Sequence, residues 1–346
     1  MSSRSLPGLR ALRQLGAMLL TGGVALLGLL AITFAVARLL PSDPVLTVLG
    51  DRATPEQYQQ TYRALRLDRP LAEQFVLYAR DMLQGDFGTS LVSSNPIEQD
   101  LRRVFTATLE LSSLAILLGL LGIPLAVCCV RWEGRWLDHL GRLVSLLGLS
   151  LPIFWLALVG LLVFYARLGW VAGPGRLDIA WQYSIPEVSG LVLVDTLLAG
   201  EPQAFLDALA HIVLPASLLG LVALGHILRM TRGFLLAQMH QDYVLVLRLK
   251  GLSEARILWD HALRNSAGPI LALVIFTYAL LLEGAVLVET VFAWPGLGQY
   301  IASSLFAADI PAVVAATLMV GIVYFALSLL AETLQRGLDP RTRRHP

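Results

Sequence analysis

Residues 108–130 read TLELSSLAILLGLLGIPLAVCCV, a run that holds one acid, Glu110, and no basic residue. At 1.5 Å of rise per residue, about 20 such residues in a helix cross a ~30 Å hydrocarbon core. Apolar runs of similar length occur at Ala17–Leu40, Leu143–Tyr165, Ala210–Met230, Pro269–Val291 and Pro311–Leu334. The expected fold class is therefore all-α, a polytopic transmembrane helical bundle with six spans. Composition points the same way: the 346 residues are 56% apolar and 15% charged, with a mean hydropathy of +0.68, where soluble domains carry roughly 25% charged residues. Water-soluble and disordered classes are excluded. The balance of 26 basic against 25 acidic residues gives no case for nucleic acid. Cys128 and Cys129 are neighbours inside an apolar run, so neither a disulfide framework nor a CxxC metal site is available.

The first run follows Arg4, Arg10 and Arg13, and Ala35-Val36-Ala37 resembles a cleavage site. A signal-peptide core is usually about 7–15 residues, shorter than this stretch, so an uncleaved anchor is expected. Basic residues set the orientation. Segment 1–16, the 131–142 loop (Arg131, Arg135, Arg142), the 229–268 loop (Arg229, Arg232, Arg248, Lys250, Arg256, Arg264) and the tail (Arg336, Arg341, Arg343, Arg344) are assigned to the cytoplasm. The 167–209 loop has two Arg against five acids, and the 292–310 loop has no base; both are assigned outside. The 41–107 loop is too long for its charge to decide, and alternation places it outside. Both termini then face the cytoplasm. The expected organisation is a cytoplasmic segment 1–16, a first helix 17–40, a periplasmic helical loop 41–107, a core of five spans over 108–334 containing a cytoplasmic loop 231–268, and a basic tail 335–346.

Thr54-Pro55-Glu56 has the N-cap, first-turn Pro and early acid that open a helix, here to about Leu65. Leu71–Leu83 is a second helical stretch, closed by the turn residues Gly85-Asp86-Phe87-Gly88. The inner loop is more specific. Gln238–Lys250 is predicted as a helix with Arg248 and Lys250 in its last turn and Gly251 as the left-handed residue beyond it. Ser253 then caps a short helix from Glu254 to about Leu263, without a capping box because Arg256 occupies the Glu position. Helix, glycine break and short capped helix make a knob on which a cytosolic partner can push.

Asp242-Tyr243, Lys250-Gly251-Leu252-Ser253 and His261-Ala262-Leu263-Arg264-Asn265 resemble the cytoplasmic coupling loop of bacterial ABC importer permeases of the dipeptide/oligopeptide/nickel family. Glu289-Thr290-Val291-Phe292-Ala293-Trp294-Pro295-Gly296-Leu297-Gly298 is similar to the outer motif of that family. Pro41-Ser42-Asp43-Pro44-Val45, Leu67-Asp68-Arg69-Pro70-Leu71, Gly85-Asp86-Phe87-Gly88-Thr89-Ser90 and Ala107-Thr108-Leu109-Glu110-Leu111 follow the family order as well. The early span and long outer loop resemble the B-type subunit. The resemblance implies an ABC type I importer-like permease in the bacterial inner membrane that pairs with a C-type permease, two cytoplasmic ATPases and a periplasmic solute-binding lipoprotein. It implies contact with the ATPases through Lys250, Gly251, Leu252, Ser253, Glu254, Ala255, Arg256 and His261. One departure stands out: Leu245-Val246-Leu247 replaces the Glu-Ala-Ala of the broader importer pattern.

No cofactor or metal is expected in this chain itself, and ATP and Mg are expected on the partner ATPases. The single lysine, Lys250, has no GxxxxGK[ST] loop, and neither HExxH nor GxSxG occurs, so no catalytic residue is assigned. Glu283, 14 residues past Pro269, stands roughly 21 Å along a helix, inside the hydrocarbon region. It is a translocation-path candidate that attracts a cationic substrate group, or else it pairs or packs within a helix interface. His226 and Arg229 near the inner end of the fourth span, and Glu289 in the outer motif, are further path candidates with boundary or packing roles as alternatives. Arg38, Glu110 and His211 are expected to anchor span ends. Pro124, Pro152 and Pro215 permit bends. Trp294, Pro295, Gly296 and Gly298 form either an outer gate or a plain turn at the headgroup level.

The expected function is ATP-driven import of di- or oligopeptides by alternating access, closest to the dipeptide branch. Nickel, metal chelates and antimicrobial peptides are the alternative cargoes. A stand-alone secondary transporter, or a scaffold or sensor subunit, is the alternative of another class.

Overall fold

The computed structural model describes residues 7–39, 44–49, 54–64 and 66–338. Arg4, Pro41-Ser42-Asp43, Leu65, Arg341, Arg343 and Arg344 lie outside the described residues. Among those described there is no strand, only one isolated bridge between Thr89 and Pro96. The chain divides into two compact units, one of residues up to Arg102 with Tyr300–Phe325, the other of Arg103–Gln299 with the residues from Ala326 onward.

In the first unit the helix Pro7–Leu39 carries the apolar stretch Leu20–Val36. Close packing against the last helix, Ile310–Leu338, brings Gly22 under the Phe325 ring and Gly321 against Leu29. The outer helix Leu71–Leu83 attaches through Phe75 and Tyr78, whose rings lie 5.4 and 5.5 Å from that of Phe34. Thr54 caps Pro55–Ala64 as expected and more fully: Gln57 N–H donates to Thr54 Oγ1 (3.3 Å) while Thr54 N–H donates to Gln57 Oε1 (3.0 Å), a reciprocal capping box. The buried Asp309 accepts from Ser90 Oγ at 2.6 Å and from Leu91 N–H at 2.7 Å, tying the turn after Gly88 to the entrance of the last helix.

In the second unit Pro202–Met239 is the central element, 38 residues or about 57 Å. It begins 8 residues before the expected Ala210 and ends 9 after Met230, so His226 sits well inside a helix and not at its end. Gly122–Arg131, Trp136–Ser150 and Ala267–Val291 pack on it. Close approach needs small residues, as is usual between membrane helices; a Cβ on Gly148 would stand 2.6 Å from the Leu221 carbonyl oxygen.

Among the described residues, four helices are long and apolar enough to cross a membrane, Ile97–Arg131 (interrupted at Leu121), Pro202–Met239, Ala267–Val291 and the Ile310–Gln335 stretch. The expected third span, Leu143–Tyr165, bends at the proline expected to permit it. Trp136–Ser150 and Ile153–Arg167 meet at 98°. Pro152 has no N–H to continue the helix, and its ring drives Leu151 out of the helical region to φ −85°, ψ 131°. The second arm ends in the π-helical turn Leu161–Arg167. Counting the bent pair as one crossing gives five.

Two apolar clusters hold this unit together. One joins Leu111, Ile212, Leu219, Val288, Phe292 and Trp294; the other joins Ala126, Val127, Leu228, Leu235, Leu258 and Ala262.

Candidate coupling segment, outer motif and translocation residues

The predicted Gln238–Lys250 helix is two elements. The central helix stops at Met239, and Asp242–Leu249 forms a separate two-turn helix. Its end follows from the sequence: Gly251 takes φ +79°, its N–H reaches Arg248 O (2.9 Å), and Leu252 N–H reaches Leu247 O (3.2 Å). This is the paired hydrogen-bond pattern of a Schellman stop. Ser253 then caps the next helix, its Oγ accepting from Arg256 N–H at 3.4 Å. The expected short helix continues from Glu254–Arg256 through a π-helical turn, Ile257–Ala262, to Asn265.

Arg248 bridges the glycine break, with Nε to Glu254 Oε1 at 2.7 Å and Nη2 to Oε2 at 3.1 Å. The contact holds the Glu254 carboxyl below its ordinary value, the Arg248 hydrogen bonds outweighing partial burial, and raises the Arg248 guanidinium in turn through the same bonds. Lys250, Gly251, Ser253, Ala255 and Arg256 are exposed; Leu252, Glu254 and His261 are half-buried. All eight residues of the expected coupling set thus fall on one continuous surface segment, whose underside, Ile257, Leu258 and Ala262, is buried.

Two features were missed. Leu245, Val246 and Leu249 are exposed, Leu249 by 80%, so the segment that replaces Glu-Ala-Ala presents an apolar face at i, i+1, i+4. The substitution itself was the available signal. The second is Asp138, fully buried, which accepts from Arg232 Nε (2.6 Å) and Nη2 (3.0 Å), Arg142 Nη2 (2.7 Å) and Gly134 N–H (3.1 Å). It ties the 131–142 loop to the base of the central helix. Only the i, i+4 spacing of Asp138 and Arg142 hinted at it.

In the motif expected on the outer side, Glu289 is fully buried at the end of Ala267–Val291. Its Oε1 accepts from Thr108 Oγ1 at 2.6 Å and its Oε2 from Gly298 N–H (2.7 Å) and Gln299 N–H (3.1 Å). Thr108 Oγ1 in turn accepts from Leu297 N–H at 2.7 Å. Trp294 is 1% exposed and donates from Nε1 to Ala107 O at 3.0 Å. The Arg176 guanidinium lies 5.3 Å from the Trp294 ring centre and bonds Glu110 Oε2 (2.5 Å) and Gly190 O (3.0 Å). Gly296 and Gly298 are buried against the Glu289 carboxylate, while Pro295 is exposed. Of the outer-gate candidates, Trp294, Gly296 and Gly298 therefore join Glu289 in one closed clasp on the Ala107–Leu111 segment, and Pro295 stands outside it. Glu110, expected as a boundary anchor, belongs to the same clasp.

The other path candidates are separate. Glu283 is exposed on the apolar helix Ala267–Val291, and Arg229 is exposed on the central helix. His226 is half-buried, its Nδ1 3.2 Å from Thr277 Oγ1.

Residues 119–344 match the family model of the binding-protein-dependent transport system inner membrane component, and residues 11–111 match its N-terminal companion. The chain is 41% identical to the probable D,D-dipeptide transport system permease protein DdpB of Escherichia coli K12, over 92% of this chain and 93% of that one. It is 39% identical to the di/tripeptide transport system permease protein DppB of Pseudomonas aeruginosa UCBPP-PA14, over 91% and 94%. With the dipeptide transport system permease protein DppB of Escherichia coli K12 it shares 35%, over 96% and 98%. An inward-facing structure of the MetNI methionine ABC transporter has the same fold, with a TM-score of 0.52 at 16% identity, covering 71% of this chain and 99% of that one. The chain belongs to the family of inner membrane components of binding-protein-dependent transport systems.

Proposed function

We propose that this chain is the B-type permease subunit of an ATP-driven importer that moves di- or oligopeptides from periplasm to cytoplasm, with both termini cytoplasmic. It works beside a C-type permease, two ATPase chains that bind ATP and Mg, and a periplasmic binding lipoprotein. The observation that carries this reading is the coupling segment: an exposed apolar face at Leu245, Val246 and Leu249, continuous with the Lys250–Arg256 surface. The names of the relatives support the peptide cargo.

The geometry supplies a lever. The Schellman stop and the Arg248–Glu254 bridge hold two short helices at a set angle, so a push by an ATPase moves them together. Leu258 and Ala262 pass that motion to Val127, Leu228 and Leu235, and the Asp138–Arg232 pair makes the 131–142 loop follow. The clasp around Glu289 keeps the outer ends of its helices in register, and the bend at Leu151–Pro152 gives the bundle a joint. Closure of the ATPase pair turns the spans outward to accept solute, and resetting after hydrolysis releases it inside.

The test is ATPase activity and peptide uptake by the reconstituted complex of both permeases, the ATPases and the binding protein. Peptide-stimulated hydrolysis in the wild type, abolished by Gly251→Pro with assembly intact, supports the reading. Failure of the chain to associate with an ATPase overturns it; stimulation by a nickel chelate and by no peptide overturns the cargo.

A further inference from the structure

The break in the third span opens a cavity of about 320 Å³ between the Gly148–Ile153 segment, the central helix and Ala267–Val291. Its walls are apolar, including Leu149, Leu151, Leu219, Ala223, Leu280 and Leu281; the polar side chains that line it are His226 and Thr277. The Thr277 hydroxyl stands between Leu273 O at 2.7 Å, to which it donates, and His226 Nδ1 at 3.2 Å. Leu149, Leu280 and Gly284 are exposed, so the cavity opens to the outside of the single chain. Glu283 immediately precedes Gly284 and stands one turn from Leu280 on the same helix, exposed beside the lining residues and not among them.

We propose that this cavity is a side-chain pocket for the transported peptide, taking an apolar residue of the cargo while the Glu283 carboxylate holds the peptide ammonium group. The inference rests on the importer reading and deepens it: the permease, besides any binding protein, sorts cargo by side chain. Three observations meet here. An exposed carboxylate inside an apolar membrane helix is costly against lipid and belongs on a polar path. The cavity volume lies at the small end of the range of ligand pockets, about 300–1,000 Å³, which suits a dipeptide better than a long chain. An extended dipeptide spans roughly 7 Å, enough to reach past Leu280, whose Cβ is about 5–6 Å from that of Glu283 at i, i+3 spacing. A carboxylate beside the recess, one helical turn from Leu280, thus stands at about the spacing of one peptide residue.

Gly284→Leu tests this directly. A Cβ at Gly284, a residue that lines the cavity, meets no atom within 4 Å, so a side chain begins there without a clash. In the full reconstituted importer, with binding protein saturated by each peptide, initial uptake of leucyl-leucine and glycyl-glycine is compared. The expected result is a fall of about 10-fold in the leucyl-leucine to glycyl-glycine ratio, the size of effect a few methylenes have in an apolar pocket. Gly284→Ala should shift the ratio the same way by about 2-fold, and stands in if the Leu variant does not assemble. An unchanged ratio, or an equal fall for both peptides, overturns the pocket and marks the cavity as packing space for the neighbouring permease. Uptake of neither peptide by the wild type would instead overturn the dipeptide cargo on which the inference rests, and failure to associate with an ATPase would overturn the importer reading itself.

Discussion

Arg248 and Glu254 face each other across Gly251, and their two hydrogen bonds of 2.7 and 3.1 Å lock the turn between Asp242–Leu249 and the helix that Ser253 caps. The Glu254 carboxyl titrates below its ordinary value of 4.5. A depressed carboxylate contributes stability that is complete above its unfolded value and is lost as pH falls through the folded value. Both side chains are more than a third exposed, so Glu254→Gln should cost under about 1 kcal/mol at pH 7. Thermal unfolding of the two proteins should differ at pH 7, and the difference should shrink as the pH is taken below the ordinary 4.5 and through the lowered folded value, where the wild-type carboxylate is protonated. The same variant should lower peptide moved per ATP hydrolysed.

Gly251→Ala places a Cβ on a residue at φ +79°, which costs about 1–2 kcal/mol. The expected outcome is a modest loss of thermal stability with a larger loss of transport per ATP, because the angle of the lever changes while the spans stay packed.

Asp138→Ala leaves Arg232, 18% exposed, without its carboxylate, and breaking a buried pair this way costs about 3–5 kcal/mol. Asp138→Leu with Arg232→Met should recover much of that stability, since an apolar replacement of both partners spares the desolvation. Denaturant unfolding of the purified complex measures both. If the double variant is stable yet fails to couple ATP to transport, the pair contributes to the path of motion as well as to packing.

Glu289→Ala removes the acceptor of the buried Gly298 N–H and the half-buried Gln299 N–H and sends the Thr108 hydroxyl to Val104 O, at about 1–3 kcal/mol for each unsatisfied group before relaxation. Glu289→Gln should cost much less: its carbonyl oxygen can accept from both backbone N–H groups, and Thr108 can turn its hydroxyl to Val104 O, 3.3 Å away. Matching stability losses in the two variants would show that the charge, and not the acceptor geometry, matters in the clasp.

Much of this protein was legible in local pattern. Apolar run length announced the membrane helices, and Thr54, Pro70-Leu71, Gly85, Gly251 and Ser253 marked helix ends that the backbone observes, because caps and left-handed turns depend on one or two residues. Leu71–Leu83 has the bounds that its sequence predicts. The helix-ending proline at 152 was visible too, but a run of apolar residues carries no information about angle, so the 98° bend and the cavity behind it were not.

The sequence by itself determined the helical class, the membrane solvent, the glycine stop ahead of the helix that Ser253 caps and, through its ordered motifs, the family. Tertiary structure alone decided which charges are spent inside the protein. Asp138 finds Arg232 at a separation of 94 residues, and Glu289 finds Thr108 at 181; no local pattern encodes such pairings, because they follow from which helices pack side by side. The same packing turns Trp294 inward and leaves Glu283 exposed, although both read alike as candidates along the chain. Burial of a polar side chain is set by the partners that three-dimensional packing delivers, and those partners are far away in sequence.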